Sequence, residues 1–234
     1  MARNTVTLNG VSSSTITGLL IQELPPIAKP PIRTEVEEID GRDGDIITEL
    51  GYGAYDKEFT IGLFGNFDIN EIIAFFDSKG TVTFSNESDK YYRYQIIEQI
   101  DFERLAHFRT ATVKMHVQPF KFSTTETTRT LTATGTVTNA GNIVARPTIT
   151  FTGTGDVTIT LNGEDILTLA LGETSTALTI DAEAQEAYIG TTDTLANRQV
   201  DGDYENIKLN VGSNTIAWTG SLTSIAIDKY SRWI

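Results

Sequence analysis

The sequence contains no cysteine among its 234 residues. A disulfide framework, a thiolate metal site and a cysteine nucleophile are therefore excluded, and stability has to come from hydrophobic cores or from assembly. Histidine is almost as scarce, because only His107 and His116 are present. Two histidines are too few for a histidine metal site, and we interpret both as surface or interface residues rather than catalytic bases.

Positive charge is also in short supply. The chain has 18 lysine and arginine residues against 31 aspartate and glutamate residues, which gives a formal net charge of -13. A protein that reads a nucleic-acid sequence carries a basic face, so this balance argues against such a function. The balance is compatible with a surface past which nucleic acid moves without adhering, because acidic groups repel phosphate.

Long hydrophobic runs are absent as well. Nowhere do about 18 apolar residues follow one another, so the sequence predicts no membrane span. The segment Met1–Val6 lacks the apolar stretch of a secretory signal, and we expect a soluble protein that is made in a cytoplasm. The hydrophobic fraction of 39% is enough for packed cores, and the length suits one large domain or two ordinary ones.

A proline cluster and a hairpin stand out in the first half. Four of the six prolines lie in Leu24–Pro31, which predicts a stiff extended connector because proline cannot donate to a strand ladder. Arg33–Ile39 then alternates in strand fashion and is predicted to pair with Tyr55–Phe64. The turn between them is polar and glycine-bearing, and its tip is free to contact another molecule. This candidate subunit-contact arm comprises Asp40, Gly41, Arg42, Asp43, Gly44 and Asp45.

The acidic residues of this turn do not predict a metal site. A calcium-binding EF-hand loop needs oxygen ligands at alternate places, a glycine at the sixth place and a glutamate at the twelfth. Here Arg42 takes the third place, Asp45 the sixth and Gly51 the twelfth. We interpret the turn as solvated, with no bound metal.

One α-helix is predicted, over Asp68–Lys79. Asp68 and Glu71 have the spacing of a capping box, and Gly80 is placed to end the helix. Its expected apolar stripe consists of Ile69, Ile72, Ile73 and Phe76.

Two long paired strands are predicted to follow, over Tyr91–Ile100 and Thr110–Phe120. In the second of them the side chains alternate in size and polarity, as they do in a strand with one buried face. Val113, Met115 and Val117 are expected to face one way, and Lys114 and His116 the other.

The second half has a cleaner β pattern. Residues 123–138 are rich in threonine and predict a linker with an edge strand, after which Asp156–Leu161 alternates into the hairpin signal Asn162-Gly163. About eight short strands over roughly 100 residues indicate a jelly-roll-like sandwich. The further predicted strands are Ile166–Leu171, Thr176–Ile180, Glu186–Ile189, Ile207–Val211, Thr215–Trp218 and Ser224–Ile227.

No catalytic or cofactor-binding pattern is present. The sequence lacks a phosphate loop, a dinucleotide fingerprint, a nucleophile elbow and a zinc-binding histidine pair, so we expect no enzyme and no cofactor. Two alternatives stay open. A carbohydrate-binding module acting in cell-wall adhesion needs clustered exposed aromatics, of which the second half has few. A cell-wall hydrolase is the weaker alternative, since no catalytic set is recognisable.

The order of these features resembles the distal tail protein (Dit) family of siphophages that infect Gram-positive bacteria. The resemblance covers essentially the whole chain. It rests on the strand before Asn9-Gly10, the turn 40–44 followed by Tyr52-Gly53, the helix 68–79, the aromatic strands 91–120, Asn139–Asn142 leading to Ala145–Ile149, and the ending Tyr230–Ile234.

The resemblance implies a mainly β fold in two domains. Residues 1–122 would form a ring-building domain of β-sandwich or split-barrel type, with one α-helix and a long hairpin arm. Residues 123–138 would be a linker or edge strand, and residues 139–234 a galectin-like or jelly-roll β-sandwich.

The resemblance also implies a function in the virion. Six copies would form a ring at the distal end of a non-contractile tail, with a central channel through which DNA passes. Its implied partners are further copies of itself, the major tail tube protein, the tape measure protein, the tail-associated hub or lysin protein and a receptor-binding protein. Assembly would take place in the host cytoplasm. No sequence-specific nucleic-acid contact and no membrane contact is expected, and acidic side chains lining the channel would keep DNA from adhering.

Overall fold

The computed structural model describes residues 3–190 and 194–234. The chain divides into two compact units, of which the first runs to Thr124 and the second spans Thr125–Trp233. Each unit has a separate hydrophobic core. Within the described residues, no helix is long and apolar enough to cross a membrane.

The first unit contains nine strands and two α-helices among its described residues. These are β1 (Val6–Leu8), β2 (Val11–Ser12), β3 (Leu19–Glu23), β4 (Ile32–Glu38), β5 (Asp45–Tyr52), β6 (Tyr55–Leu63), α1 (Ile69–Phe76), β7 (Lys79–Phe84), β8 (Lys90–Gln95), α2 (Phe102–Phe108) and β9 (Thr110–Ser123).

Seven of these strands form one antiparallel sheet, here called the main sheet, in the order β2-β1-β7-β8-β9-β6-β3. Strand β9 alternates as predicted, because Val113, Met115 and Val117 are fully buried while Lys114 and His116 are not. The inward residues pack against aromatic side chains of the neighbouring strands, such as Phe59 on β6. The predicted mainly β fold is therefore confirmed.

Helix α1 is shorter than predicted. The Asp68 carboxylate caps it by accepting from the amide of Asn70 at 2.9 Å, but the helix ends at Phe76. Lys79 and Gly80 belong to β7 instead. The side chain of Asn9 holds them in extended backbone, since it donates to the carbonyl of Lys79 and accepts from the amide of Thr81.

The buried face of α1 also differs from the prediction. Ile72, Phe75 and Phe76 are buried, whereas Ile73 is 38% exposed. The hydrophobic pattern allowed either Ile73 or Phe75 on the core side, and the larger aromatic side chain packs there against Phe76.

Helix α2 was missed, so the expectation of a single α-helix is wrong. The predicted strand Tyr91–Ile100 stops at Gln95, and Asp101 then caps a seven-residue helix by accepting from the amide of Arg104. Only Leu105 of this helix is buried. One buried residue in two turns produces no periodic signal, because a stripe needs at least a second apolar position one turn away.

The second unit is a β-sandwich built on two long strands. Its elements are β10 (Arg129–Leu131), β11 (Gly135–Asn139), β12 (Thr148–Leu161), β13 (Glu164–Ala170), β14 (Thr176–Asp181), β15 (Glu186–Ile189), β16 (Val200–Gly202), β17 (Gly212–Asp228) and β18 (Arg232–Trp233). Strands β10 and β11, from the segment predicted as linker or edge strand, both pair with β17.

Strands β12 and β17 change neighbours along their length. The first half of β12 pairs with β14, the second half pairs with β13, and both halves pair with β17. The register shifts around Gly153, which lets one strand serve both layers of a sandwich. The two predicted strands Thr215–Trp218 and Ser224–Ile227 are thus parts of one strand, β17.

One local prediction for this unit is confirmed, a hairpin turn, and another is wrong, a strand. Asn162 and Gly163 have φ values of 54° and 92° and join β12 to β13, as a type I′ hairpin turn requires. The predicted strand Ile207–Val211 is wrong, because the segment makes only a single bridge, from Leu209 to Ala145.

One buried amide fixes the end of the sandwich. Asn214 is fully buried, and its side-chain oxygen accepts from the amide of Asn210 and from the side chain of Asn162. Its side-chain nitrogen donates to the carbonyls of Asn210 and Gly212. The group is fully satisfied, so its removal leaves buried partners unpaired.

We predict that Asn214→Ala lowers the free energy of unfolding of the second unit by about 2–3 kcal/mol. Denaturant titration followed by tryptophan fluorescence reports on this unit through Trp218, which packs against its core. The matched control is Asn206→Ala at an exposed position, expected to change stability by less than about 0.5 kcal/mol. Equal effects of the two substitutions would contradict the assigned role of Asn214.

Candidate interaction site: the hairpin arm

Strands β4 and β5 form a two-stranded ribbon, and within the described residues it makes no ladder with the main sheet. We call residues 32–52 the arm. Its tip is a turn in which the amide of Arg42 donates to the carbonyl of Ile39, and Gly41 and Gly44 adopt positive φ. The sequence placed the contact residues 40–45 in a hairpin turn; the structure has 40–44 in that turn and Asp45 as the first residue of β5.

The second strand of the arm was assigned wrongly. Residues Tyr55–Phe64 were predicted to pair with Arg33–Ile39, but Tyr55–Leu63 is β6 of the main sheet. The partner of β4 is β5, in the register Glu35↔Thr48 and Val36↔Ile47. The alternation of polar and apolar residues in β5 is short and interrupted at Glu49-Leu50 by a bulge, which hid the strand from pattern analysis.

Both faces of the arm are exposed to solvent. Val36 is 53% exposed and Ile47, directly opposite, is 62% exposed, while every residue of the two strands is exposed or half-buried. A two-stranded ribbon without a packed face is marginally stable in water. Apolar side chains displayed in this way are typical of a surface that another protein covers.

The arm is also strongly acidic. Residues 32–52 contain seven carboxylates and two arginines. Glu38 and Asp45 lie directly opposite each other next to the tip, and like charges in that arrangement destabilise a hairpin. The arm therefore carries an excess of five negative charges on its two exposed strands and their turn.

The proline connector Leu24–Pro31, which leads into the arm, is held by donors from the first unit. Lys57 Nζ donates to the carbonyl of Pro26 at 2.9 Å, and the side chain of Asn86 donates to the carbonyl of Pro25 at 3.0 Å. The hydroxyl of Tyr55 donates to the carbonyl of Ala28 at 3.4 Å. Proline has no amide hydrogen, so this segment is bound through its carbonyl groups.

A cluster of charged and aromatic side chains surrounds the ammonium group of one of these donors, Lys57. Glu87 accepts from Lys121 Nζ at 2.8 Å and from the hydroxyl of Tyr92 at 2.7 Å. Lys57 Nζ lies 4.7 Å from the centre of the Tyr92 ring, within the range of a cation–π contact. Lys57 is 4% exposed and Lys121 is 8% exposed, so this carboxylate and the aromatic ring replace much of their hydration.

The cluster shifts the titration of its members in opposite directions. Burial lowers the pKa of Lys57, and the charge of Glu87 partly opposes that effect. Burial also raises the pKa of Tyr92, and the bond from its hydroxyl to Glu87 adds to the increase. The proton of Tyr92 is therefore retained in the folded state well above pH 10.

The two histidines do not form a site. His116 Nδ1 lies 2.8 Å from the carboxylate of Asp56, which also pairs with Lys114 at 3.1 Å. Bonds to His116 and then to Lys114 lower the pKa of Asp56. His107 lies on α2 against the ring of Phe108. Over the residues described, no group of three or more potential metal ligands is found.

The second unit displays no fully exposed aromatic residue in the part that the structure describes. Phe151 is buried, and the remaining aromatic side chains are half-buried, namely Tyr188, Tyr204, Trp218, Tyr230 and Trp233. A sugar-binding platform requires exposed aromatic faces, so this arrangement does not favour the carbohydrate-binding alternative.

Known structures match the chain over its whole length. The Dit (gp 19.1) protein of phage SPP1 has 21% sequence identity and a TM-score of 0.65, over 98% of this chain and 100% of that chain. The chain has the fold of a phage distal tail protein. The family resemblance inferred from the sequence is thereby confirmed at the level of fold. The SPP1 protein is described as a paradigm of the hub adsorption apparatus in phages that infect Gram-positive bacteria.

Two further solved structures match the chain more weakly. Chains of the phage P2 baseplate in its activated conformation, with Ca or with Sr, have 10% identity and TM-scores of 0.44 and 0.45, over 97% of this chain and 98% of theirs. The family model of the LapA domain matches residues 125–220. No curated protein sequence matches the chain.

We predict that Tyr92→Phe reduces the alkaline sensitivity of the first unit. The unfolded chain loses the tyrosine proton near pH 10 and the folded chain retains it, so stability conferred by Tyr92 is present below pH 10 and is lost as pH rises further. Removing the hydroxyl should make the slope of unfolding free energy against pH shallower by up to about 1.4 kcal/mol per pH unit.

Chemical denaturation followed by far-ultraviolet circular dichroism at several pH values measures this slope. Tyr55 and Tyr94 also have raised pKa values, so a residual slope is expected in the variant. Below pH 9 the difference between wild type and variant should not depend on pH, which provides the internal control. An unchanged slope above pH 10 would show that Tyr92 is not coupled to folding.

Proposed function

We propose that this protein is a structural, non-enzymatic subunit of a phage tail hub. The observation that carries the proposal is the fold match over the whole chain to the SPP1 hub protein. The arm supports it independently, because an exposed acidic ribbon with apolar centres is suited to contact a neighbouring subunit and not to bind a substrate.

The assembled form in this proposal is a homohexameric ring at the distal end of a non-contractile tail. An arm that reaches a different surface on the next copy makes a head-to-tail contact. Such contacts generate a closed ring when a whole number of identical rotations completes a full turn. Residues Asp40–Asp45 at the tip are the proposed first points of contact. The second unit would lie on the ring as a β-sandwich module.

The ring would connect further tail components. The proposed partners are the major tail tube protein on one side and the tail-associated hub or lysin protein on the other, with the tape measure protein in the channel and a receptor-binding protein attached outside. DNA would pass through the channel, and the net charge of -13 is consistent with a surface to which DNA does not adhere. The proposed location is the virion tail tip, after assembly in the host cytoplasm.

We expect the purified protein to have a mass in solution of six times the 25.7 kDa of one chain, or twelve times if two rings stack. Light scattering coupled to size-exclusion chromatography measures it. Replacing residues 33–51 by a short glycine-serine linker should reduce the mass to that of a monomer. The ends of the arm can be joined in this way because Ile32 and Tyr52 are paired across the ribbon.

The replaced residues are exposed or half-buried, and the variant keeps Tyr52, whose ring contacts Phe120 of β9. The main body should therefore keep its melting temperature. A monomeric wild-type protein would contradict the ring. A hexamer that persists without the arm would leave the ring intact but exclude the arm as its main contact.

A further inference from the structure

Two arginines of the first unit lie against phenylalanine rings at one end of the main sheet. The guanidinium of Arg3 lies 5.2 Å from the centre of the Phe64 ring, and the guanidinium of Arg109 lies 4.6 Å from the centre of the Phe67 ring. Both distances are within the range of a cation–π contact. We call these four residues the arginine–phenylalanine surface.

Backbone contacts place the two arginines side by side. The guanidinium of Arg3 donates to the carbonyl of Leu19, and Leu19 pairs with Leu63 across β3 and β6. The amide of Leu63 donates to the carbonyl of Arg109 at 3.0 Å. Adjacent strands are separated by about 4.8 Å, so the two arginines belong to one continuous edge at this end of the sheet.

The surface is open to solvent. Arg3 and Arg109 are exposed, and Phe64 is 52% exposed. Phe108, which precedes Arg109, is 69% exposed. Exposed aromatic rings with arginines against them have the composition of the residues that dominate binding in protein interfaces. The stacking also restricts each guanidinium before a partner arrives, which lowers the entropy lost on binding.

The two guanidinium groups have no carboxylate partner in the part of the chain that the structure describes. The acidic residues of the adjacent helices are Asp68 and Glu71 on α1, and Asp101 and Glu103 on α2. All four lie at the caps or in the first turns, where the helix N-terminus offsets their charge. The guanidinium groups therefore offer hydrogen-bond donors to a carboxylate from another molecule.

The arm and the arginine–phenylalanine surface lie at opposite ends of the same sheet. Strand β6 begins just after the arm, at Tyr55, and ends at Leu63 beside Arg109. Its nine residues span about 26 Å at roughly 3.3 Å per residue. A head-to-tail contact requires two different surfaces that one copy uses at the same time, and this separation provides them.

We propose that the arm of one copy docks on the arginine–phenylalanine surface of the neighbouring copy, with arm carboxylates against Arg3 and Arg109. This inference rests on the proposed ring and names the surface that receives the arm. The arm brings seven carboxylates and only two arginines, and guanidinium groups bind carboxylates through paired hydrogen bonds. The arm is exposed in its own chain, so the occupied surface belongs to a second copy.

Apolar side chains add to the contact. Val36 and Ile47 lie opposite each other in the middle of the arm and are 53% and 62% exposed. Their counterpart on the other copy is the exposed ring of Phe64. Apolar contact at the centre with charged pairs around it is the arrangement of a specific protein interface.

The test uses two charge-reversed forms of the full-length protein. The arm variant is Glu37→Lys/Glu38→Lys, in which consecutive residues point to opposite faces of the ribbon and so change whichever face docks. It also places a lysine opposite Asp45, so the hairpin itself is not weakened. The surface variant is Arg3→Glu/Arg109→Glu.

Each variant alone should assemble at least about tenfold more weakly than wild type, because docking then places like charges together. An equimolar mixture of the two variants should restore the ring. In the mixture the reversed arm meets a reversed surface and the native arm meets a native surface, so copies alternate around the ring. Light scattering over a dilution series measures the association, and native mass spectrometry gives the composition.

Two control variants reverse exposed charges of the second unit. Glu164→Lys/Glu186→Lys matches the arm variant in sign, and Arg129→Glu/Lys208→Glu matches the surface variant. Both controls should assemble as wild type, and neither should restore the arm variant or the surface variant on mixing.

The surface variant has a second form in case it melts at a lower temperature. Such a decrease would follow from the loss of the bond between Arg3 and the carbonyl of Leu19. The single substitutions Arg109→Glu and Glu38→Lys, both at exposed positions, then repeat the mixing experiment.

The outcomes separate this inference from the proposed function. Restoration by mixing supports the contact between the arm and the arginine–phenylalanine surface. Disruption by both variants without restoration overturns it. A surface variant that assembles as wild type also overturns it, and would leave the surface to another tail component. In these last two cases the wild-type ring persists and the proposed function stands, whereas a monomeric wild type overturns both.

Discussion

The geometry of the arm depends on the buried ammonium group of Lys57. The connector that leads into the arm is rich in proline and offers carbonyl oxygens for binding, so the body of the first unit must supply the donors. Lys57 supplies one from the inward face of β6, opposite Met115. A lysine there is costly to bury, and Glu87 together with the Tyr92 ring offsets that cost. The connector that precedes the arm is thus tied through Lys57 to an ionic cluster of the first unit.

Such a cluster restricts the positions of its side chains but adds little to the free energy of folding. Buried ion pairs add little net stability, since desolvation consumes most of their attraction, but removing one partner costs about 3–5 kcal/mol because a charge is then left unpaired. Glu87 has two donors, Lys121 and Tyr92, which restrict the positions that the cluster can adopt. In the proposed ring the arm has to meet the next copy, which requires that the residues before the arm be held in a defined position, and this arrangement holds them.

Sequence patterns predicted what depends on local chemistry and failed where distant residues decide. The cap at Asp68, the alternation of β9 and the Asn162-Gly163 turn follow from neighbours within a few residues. The end of α1 depends on Asn9, which is about 70 positions away in the chain, and no window on residues 68–80 contains that information. The arm tip was found from its polar glycine-bearing turn, whereas its second strand was not, because that assignment depends on strand pairing.

In the proposed ring the acidity of the chain would have two distinct uses, with different physical requirements. Carboxylates that keep DNA from adhering must remain hydrated and uncompensated in the assembled ring. The carboxylates of the arm, in contrast, would have to be compensated where the arm meets its neighbour in that ring. Net charge alone suggested the first use, while the position of seven acidic residues on one unpacked ribbon indicates the second. A single chain can satisfy both requirements because the arm and the rest of its acidic surface are separate parts of the sequence.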